Sequence, residues 1–424
     1  SSIGYETQEV PVGTTRVFAI SLKESASSLA DVVVVGYGSQ RKSKVTGSIN
    51  TVKMAEVMGN RANNNVAQLL QGTVPGLQIT YNTGEPGANT SLNIRGTTSI
   101  GSGSSGAPLI LLDNVPVASL SLINPNDIES VTVLKDAGSA AVYGSRSAWG
   151  VILLTSKATA RNTKPRFEYS TNIVSSSPFE LPRKSSPKKT VQSFKDMNYQ
   201  PPGGQNPDTW LTLLDEYAAN PAGYPSGYAV QNGVVYPLQE TDAWADMAGR
   251  HSFQQIHNLT FSGGADKITY RIAGGYSDED GILITRKDRF KRVNLTGFMN
   301  ADLTSWATVQ LTTRYMNSNK TMPYTSAGFG FFGQESVAPS FGQLGDSLIN
   351  GVKVPFVTGR HIIENVDANS NRLDNSRLTG KLILKPFTGM TVTGEYTFDK
   401  LNTSFSQYDK SFDVITLNNF VPAP

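Results

Sequence analysis

The chain has 424 residues and a nearly balanced charge, with 37 Lys and Arg residues against 34 Asp and Glu residues. The net charge of +3 is too small to predict a nucleic-acid partner or a strongly anionic binding surface. No cysteine is present, which excludes disulfides, thiolate metal sites and a cysteine nucleophile. A chain of this length predicts more than one structural unit.

The first 30 residues predict two strands and a linker. Residues 1–22 form the two strands around a turn at 11–14, and a Ser- and Ala-rich linker follows at 23–30. No apolar stretch approaches the roughly 18 residues of a transmembrane helix. Because the chain begins with Ser1 and no signal peptide opens it, we expect a processed or truncated form.

Five short motifs follow in a fixed order between residues 31 and 157. Four valines in Asp31-Val-Val-Val-Val-Gly-Tyr-Gly38 favour an extended segment. The run from Val66 to Leu77 predicts a short helix, a turn and then a strand at 77–81. The next two motifs are Leu92-Asn-Ile-Arg-Gly96 and the strand Pro108-Leu-Ile-Leu-Leu-Asp-Asn-Val-Pro-Val117. The last motif, at 128–154, predicts a strand, a small-residue turn, a glycine corner and a second strand.

Together these motifs resemble the plug of the SusC-like (starch-utilisation-system C type) TonB-dependent outer-membrane transporters. One Ile-Arg-Gly alone would be weak, whereas five motifs in register over roughly 125 residues are specific; the alternative is an unrelated β-rich domain. The resemblance implies a bacterial outer-membrane protein. It would be mainly β, with a small α+β plug domain inside a transmembrane β-barrel of about 22 strands.

The resemblance also divides the chain into four parts. Residues 1–22 resemble the end of a carboxypeptidase-regulatory-like β-sandwich, and residues 23–38 contain the linker and the TonB-box region. The plug domain occupies 39–160, and 161–424 begin the barrel. Because only about seven or eight strands fit in that last part, too few to enclose a plug, we expect the chain to be the first part of a longer protein.

Alternation of apolar and polar residues predicts the barrel strands. Phe167, Tyr169, Thr171 and Ile173 share one face of the first strand. A soluble β-sandwich alternates in the same way, so this pattern alone leaves both folds open. Long loops are predicted at 178–249 and 322–375, and a solvated turn at 277–281. The further strands are predicted at 256–262, 268–277, 292–302, 307–317, 378–384 and 390–399.

No catalytic or metal-binding constellation can be identified. The run from Gly101 to Gly106 has the G-x-G-x-x-G spelling, but it leads into a strand rather than a helix. The carboxylates at 277–281 lack the spacing of an EF-hand loop. His251 and His257 are not in zinc-binding register. We therefore predict no enzyme activity, no cofactor and no metal.

The resemblance assigns roles to three sets of residues. A segment for TonB interaction would be captured by strand addition, and the alternative is a buried plug strand. Two arginines would pair with lumen carboxylates to hold the plug, and the loops 82–87, 101–106 and 118–121 would contact substrate or act only as connectors. The TonB-interaction residues are Asp31, Val32, Val33, Val34, Val35, Gly36, Tyr37 and Gly38. The plug-structural residues are Arg95, Gly96, Asp113, Tyr143, Gly144, Arg146 and Gly150; the substrate-contact residues are Asn82, Glu85, Ser102, Ser104 and Ser119.

By resemblance, the protein imports an oligosaccharide or peptide nutrient across the outer membrane. The implied partners are a SusD-like surface lipoprotein as lid, TonB of the inner-membrane energising complex, outer-membrane lipid and the small oligosaccharide or peptide substrate, with no nucleic acid. A dimer of transporter and lipoprotein pairs is compatible with this. The competing interpretation is a surface adhesion or assembly platform without transport.

Overall fold

The structure is a computed structural model, and its chain divides into two compact units. Unit 1 contains Ser1–Asn82 and Asn89–Ala158, and unit 2 contains Thr83–Ala88 and Thr159–Pro424. The strands predicted at 1–22 lie outside the described residues. The described residues are 32–35, 38–41, 49–59, 65–81, 84–96, 106–181, 185–201, 203–240, 242–248, 251–323, 346–349, 352–355, 359–408, 410, 414–415 and 422–423. Within these ranges, no helix is long and apolar enough to cross a membrane.

Unit 1 is built on a five-stranded mixed sheet in the order β3-β8-β9-β6-β7. Two further pairs, β1-β2 and β4-β5, are antiparallel. Short 3-10 segments cover Leu120–Leu122, Pro125–Asp127 and Ala141–Ser147, and the last of these is kinked at Gly144. The elements are β1 (Val32–Val35), β2 (Gly38–Arg41), β3 (Ile49–Lys53), α1 (Met54–Met58), α2 (Val66–Leu70), β4 (Leu77–Tyr81), β5 (Thr90–Ile94), β6 (Leu109–Leu112), β7 (Val115–Pro116), β8 (Ile128–Leu134), α3 (Ala137–Ala140) and β9 (Val151–Ser156).

The central strand β9 contributes to the apolar core on both faces of the sheet in unit 1. Its run Val-Ile-Leu-Leu is buried on both faces, as expected for a strand that has a parallel neighbour, here β6. Ile152 and Leu154 pack into one apolar cluster with α2, while Val151 and Leu153 pack into a second cluster on the other face. The predicted helix after residue 65 and the strand at 77–81 are confirmed.

Unit 2 is dominated by a seven-stranded antiparallel sheet in the order β10-β13-β14-β15-β16-β19-β20. This agrees with the predicted number of barrel strands. The elements are β10 (Arg166–Ser176), α4 (Pro187–Asp196), α5 (Pro207–Ala219), β11 (Tyr228–Gln231), β12 (Val234–Pro237), α6 (Ala243–Ala248), β13 (Ser252–Gly264), β14 (Ile268–Asp280), β15 (Arg289–Asp302), β16 (Ala307–Pro323), β17 (Asp346–Ile349), β18 (Val352–Pro355), α7 (Gly359–Asn365), β19 (Ala368–Leu384), β20 (Val392–Ser406), β21 (Val414–Ile415) and β22 (Pro422–Ala423).

The two ends of these strands differ in their connections. One end has short turns, between Gly264 and Ile268, between Asp302 and Ala307, and between Leu384 and Val392. The other end carries the connections at 177–251, 281–288 and 324–367. This asymmetry is typical of outer-membrane barrels, whose long loops are extracellular.

The predicted turn at 277–281 is wrong. Strand β14 continues to Asp280, where Asp278 is paired in register with Lys291 and Asp280 with Arg289. Both carboxylates are buried rather than solvated. The acidic residues resemble a turn in sequence, but basic residues on the neighbouring strand compensate their charge.

The predicted loops at 178–249 and 322–375 are also wrong in part. Strand β16 runs to Pro323 and β19 begins at Ala368, so the sheet extends several residues further than expected. The first connection contains α4, α5, α6 and the hairpin β11-β12. We call residues 187–238 of this connection the insert. Prolines that suggested a loop occupy the first helical turns of α4 and α5, where the missing N–H is not needed.

Candidate functional site

Asp113 closes a tight hairpin between β6 and β7. Asp113 and Asn114 have φ values of 49° and 68°, as a two-residue type I′ turn requires. The Asp113 carboxylate also accepts hydrogen bonds from Ser156, at 2.9 Å from the backbone nitrogen and 2.6 Å from the hydroxyl. Asp113 therefore joins this hairpin to the end of β9, which is compatible with the structural role predicted for it.

The glycine corner before β9 depends on left-handed backbone conformations. Gly144 has φ 70° and Gly150 has φ 91°. A Cβ atom on Gly150 would lie 2.8 Å from Ile94 Cδ1 and 3.0 Å from the carbonyl oxygen of Leu134. Tyr143, between α3 and Gly144, packs against the second apolar cluster of unit 1. Both conformation and packing therefore restrict position 150 to glycine.

Arg95 and Arg146 are both exposed in the structure. Arg95 has φ 64° and precedes Gly96, which has φ 86°, so these two residues form a turn after β5. Among the residues that the structure describes, no carboxylate forms an ion pair with either guanidinium group. Their pairing with lumen carboxylates stays a prediction.

The segment predicted for TonB interaction is described only in part. Val32–Val35 form β1 and pair with Gly38–Arg41, Val35 opposite Gly38. Asp31, Gly36 and Tyr37 lie outside the described residues. The valines are thus extended, as predicted, but one edge of the strand is already paired with β2.

Of the five residues predicted to contact substrate, Ser119 and Glu85 are described. Ser119 begins a 3-10 turn by accepting a hydrogen bond from the backbone nitrogen of Ser121, which favours a connector role. Glu85 belongs to unit 2 and forms a 2.8 Å ion pair with Lys320 on β16. Asn82, Ser102 and Ser104 lie outside the described residues. Whether any of them contacts substrate remains a prediction.

The two faces of the seven-stranded sheet differ in chemistry. We call apolar face the side on which Ile272, Leu295, Leu311 and Leu378 are exposed. The opposite side, the polar face, carries ion pairs between neighbouring strands. Arg377 Nη2 lies 2.8 Å from Asp399 Oδ2, and Lys381 Nζ lies 3.3 Å from Glu395 Oε2. A sheet with one exposed apolar face and one polar face suits a barrel wall between lipid and an aqueous lumen.

Three tyrosines on the apolar face reach polar partners. The hydroxyl of Tyr276 donates to Asp278 Oδ2 at 2.9 Å, and that of Tyr315 donates to Asp374 Oδ1 at 3.3 Å. The Tyr169 hydroxyl lies 2.8 Å from His257 Nδ1. Amphipathic rings with a polar tip are typical of the membrane–water interface.

The long connections form a cluster of their own in unit 2. Met247 on α6, Leu283 in the turn after β14 and Ile363 on α7 are completely buried together. The Lys287 ammonium donates to the carbonyl oxygens of Ile363, Glu364 and Val366 at 2.7–2.9 Å, at the end of α7. Burial lowers the pKa of Lys287 below its ordinary value. The connections are therefore packed against each other, which the sequence alone did not indicate.

Sequence reasoning missed the partners on the polar face. Lys320, Arg377 and Asp399 were not singled out, because isolated charges in alternating strands are common. The sequence feature that could have identified them is the two-residue alternation of side chains along a strand. It places the three charged side chains on the same face once the strand register is known. No group of acidic and histidine side chains suited to a metal occurs in the described part of the chain.

Residues 41–151 match the family model described as TonB-dependent Receptor Plug Domain. TonB-dependent receptor P39 of Formosa agariphila is 34% identical over 288 residues, which are 67% of this chain and 25% of that protein. TonB-dependent receptor SusC of Bacteroides thetaiotaomicron is 29% identical over 343 residues, 78% of this chain and 30% of that protein. The chain belongs to the SusC-like TonB-dependent receptors. Its predicted location, the bacterial outer membrane, is confirmed with the family.

A solved structure supports the fold of this SusC-like receptor. The RagAB peptide importer in its open-open state is similar with a TM-score of 0.66 and 22% identity, over 88% of this chain and 42% of that chain. The predicted fold class, a plug domain followed by strands of a β-barrel, is thereby confirmed. The chain spans 25% of the P39 relative and 30% of the SusC relative. Its seven-stranded sheet is correspondingly part of a barrel.

Proposed function

We propose that the complete receptor actively imports an oligosaccharide or a peptide across the outer membrane. The observation that carries this proposal is the plug-domain match at residues 41–151, followed in the chain by strands with one apolar and one polar face. A channel that holds a plug needs energy to open, and TonB would supply it. The RagAB protein, which is named a peptide importer, supports the substrate class.

TonB would act on residues 31–38. Strand β1 is paired with β2 along one edge, and an added strand would use the other edge. Main-chain hydrogen bonds along such an edge can transmit a pull without any specific side chain. The proposed mechanism is therefore strand addition at β1, followed by movement of the plug.

A SusD-like surface lipoprotein would complete the receptor as a lid over the extracellular mouth. The SusC relative and the RagAB fold support this partner. The buried cluster of Met247, Leu283 and Ile363 holds the described parts of three connections together at the end where such a lid would bind. We propose no catalytic activity for the chain.

The test is deletion of residues 31–38 from the full-length receptor. Uptake of the nutrient should be lost while assembly in the outer membrane and binding of the lipoprotein are retained. Deleting the linker 23–30 removes the same number of residues without touching β1 and is the matched control. Unchanged uptake after the first deletion would reject TonB-driven import and favour the adhesion or assembly platform.

The substrate class can be identified from the native complex. The full-length receptor is purified from its membrane in mild detergent, and everything that accompanies it is identified by mass spectrometry. A stoichiometric lipoprotein with a bound oligosaccharide or peptide supports import. Many unrelated surface proteins without a small ligand would instead support the platform.

A further inference from the structure

The extracellular end of the apolar face carries a group of exposed cations. Arg289 and Lys291 lie on β15 and Arg372 lies on β19, and Arg286 lies in the turn between β14 and β15. We call these four residues the rim cations. Their side chains are 41–67% exposed. Arg289 and Arg372 are the charged residues nearest the long connections on the apolar face of β15 and β19.

The carboxylates that accompany the rim cations lie deeper. Asp278, Asp280 and Asp374 have side chains that are only 5–27% exposed. Arg289 binds Asp278 through two nitrogens, and Arg372 Nε lies 3.1 Å from Asp374 Oδ2. The carboxylates therefore fix the guanidinium groups from behind, while four cations against three carboxylates leave a positive surface.

Strand register places two of these cations close together. Lys291 is opposite Asn319, and Asn319 is opposite Arg372. Adjacent strands are about 4.8 Å apart, so the two basic residues are roughly 10 Å apart across the strands, with an amide between them. All three residues lie on the apolar face. Each is an even number of residues away from an exposed leucine on its own strand, namely Leu295 on β15, Leu311 on β16 and Leu378 on β19. One phosphate group can therefore reach both cations.

An apolar wall lies directly below this group. Leu295 on β15 and Leu378 on β19 are exposed, four and six residues nearer the short-turn end than Lys291 and Arg372. Beside Arg289, a cavity of about 340 Å³ is lined by His251, Phe253 and Arg286 among others. The surface therefore combines phosphate-binding cations, an open cavity and an apolar wall in the order in which a lipid presents its headgroup and acyl chains.

We propose that the rim cations bind the phosphate of an anionic lipid in the outer leaflet, with its acyl chains along Leu295 and Leu378. The charge complementarity favours a lipid over a protein partner, because on β15 the exposed apolar residues Val293 and Leu295 follow Lys291 on the same face. A protein surface would have to match both the charge and an extended flat wall. The site requires only that the receptor lies in a membrane, so it does not rest on import.

The experiment uses the full-length receptor in nanodiscs that contain equal amounts of phosphatidylglycerol and phosphatidylcholine. Native mass spectrometry counts the lipids that remain bound to the receptor after it is released from the nanodiscs. For the unmodified receptor we expect clear enrichment of phosphatidylglycerol. In the double variant Lys291→Gln, Arg372→Gln we expect this enrichment to fall about tenfold, because each cation near a membrane surface contributes several-fold to binding an anionic lipid.

The matched control is the double variant Arg314→Gln, Lys381→Gln. These substitutions remove the same charges from the same sheet, but both residues lie on the polar face, as their register shows. The control should keep the enrichment of the unmodified receptor. Heat-modified migration in gels checks that all forms are folded, and added sodium chloride should lower phosphatidylglycerol retention by the unmodified receptor, without any variant being needed.

Four results would overturn the proposal. The first is equal retention of the two lipids by the unmodified receptor. The second is equal enrichment in the control and the rim variant. The third is displacement of phosphatidylglycerol by the same concentration of inorganic phosphate, which would identify a site for free phosphate. Cross-links between two copies at Asn319→Cys with no lipid enrichment would also reject it and assign this face to an interface between copies.

Discussion

At position 150, both the backbone conformation and the packing require glycine. Its φ of 91° is rarely adopted by other residues, and Ile94 and Leu134 occupy the space of a Cβ atom. The corner leads directly into β9, the central strand of unit 1. A single residue therefore affects the core of the plug.

We predict that Gly150→Ala destabilises the plug by roughly 2 kcal/mol or more, since left-handed strain and a steric overlap add. Scanning calorimetry of the full-length receptor in detergent measures the plug transition. Gly72→Ala is the control, because Gly72 has φ 75° but no atom within 4 Å of its Cβ position. The control should cost about 1 kcal/mol. Equal effects of the two substitutions would show that packing at Gly150 is not limiting.

Lys287 is a second residue with a local but specific role. Removal of its ammonium in Lys287→Met leaves three carbonyl oxygens at the end of α7 without this donor. We predict a local loss of about 1–3 kcal/mol, seen as faster amide hydrogen exchange in α7.

Arg360→Met serves as the control for Lys287→Met. Arg360 forms an exposed ion pair with Glu364 on the same helix, at 2.8 Å and four residues apart. Such a pair contributes only about 0.5 kcal/mol, so exchange in α7 should barely change. An effect as large as that of Lys287→Met would mean that the loss of any positive charge near α7 increases exchange there. The three hydrogen bonds of Lys287 would then not be the cause.

At the scale of elements, the insert is a folded structure and not a loop. Its apolar core joins α4, α5 and the hairpin β11-β12. The indole nitrogen of Trp210 donates to the carbonyl oxygen of Pro237 at 2.7 Å, which connects α5 to the hairpin. Outside the core, Tyr224 donates to Glu216 at 2.6 Å, and this hydrogen bond raises the pKa of the tyrosine. The core residues are Val191, Trp210, Leu213, Leu214, Ala229, Tyr236 and Leu238.

We predict that Trp210→Ala unfolds the insert without disturbing the sheet. A buried tryptophan replaced by alanine costs about 3–5 kcal/mol, which is large for a core of this size. Hydrogen exchange should increase throughout α5 and β12 and remain unchanged in β14 and β15. Phe179→Ala is the control, since Phe179 is fully exposed and should have no effect. Increased exchange throughout the sheet would show that the insert and the barrel fold as one unit.

At the scale of the whole molecule, the two faces of the seven-stranded sheet are suited to different environments, the apolar face to lipid and the polar face to water. Neighbouring residues on one strand meet different environments, as Gln310 and Leu311 show on β16. Leu311 faces outward with other exposed apolar side chains, whereas Gln310 lies on the polar face. The stability of the receptor in lipid should therefore depend on side-chain parity.

We predict that Leu311→Arg lowers stability in lipid vesicles by about 2–4 kcal/mol, because a charge on the lipid face must be desolvated. Gln310→Arg, one residue away on the polar face, should cost much less. The measurement is reversible folding of the full-length receptor into vesicles in increasing denaturant. Similar costs for both variants would contradict the assignment of the apolar face to lipid.

The strand boundaries are predicted best from the sequence where the adjacent turn residues determine them. The strand at 77–81, the start of β14 at Ile268, the end of β15 at Asp302 and the start of β16 at Ala307 are all confirmed. Short turns with glycine, serine and aspartate mark these bounds. The extracellular ends of the same strands were missed, because the polar residues there look like turn residues until their partners on the next strand are known.

From the sequence alone, the order and spacing of the five motifs indicated the family and the plug by resemblance, and the two-residue alternation indicated the barrel strands, since alternation is a local property of an extended backbone. Only the tertiary structure decided which charges pair, which tyrosines reach polar partners, and that the insert folds. The physical reason is the same in each case. A buried aspartate such as Asp278, or a helix such as α5, is stable only with partners that are remote in sequence, here Arg289 and the hairpin β11-β12.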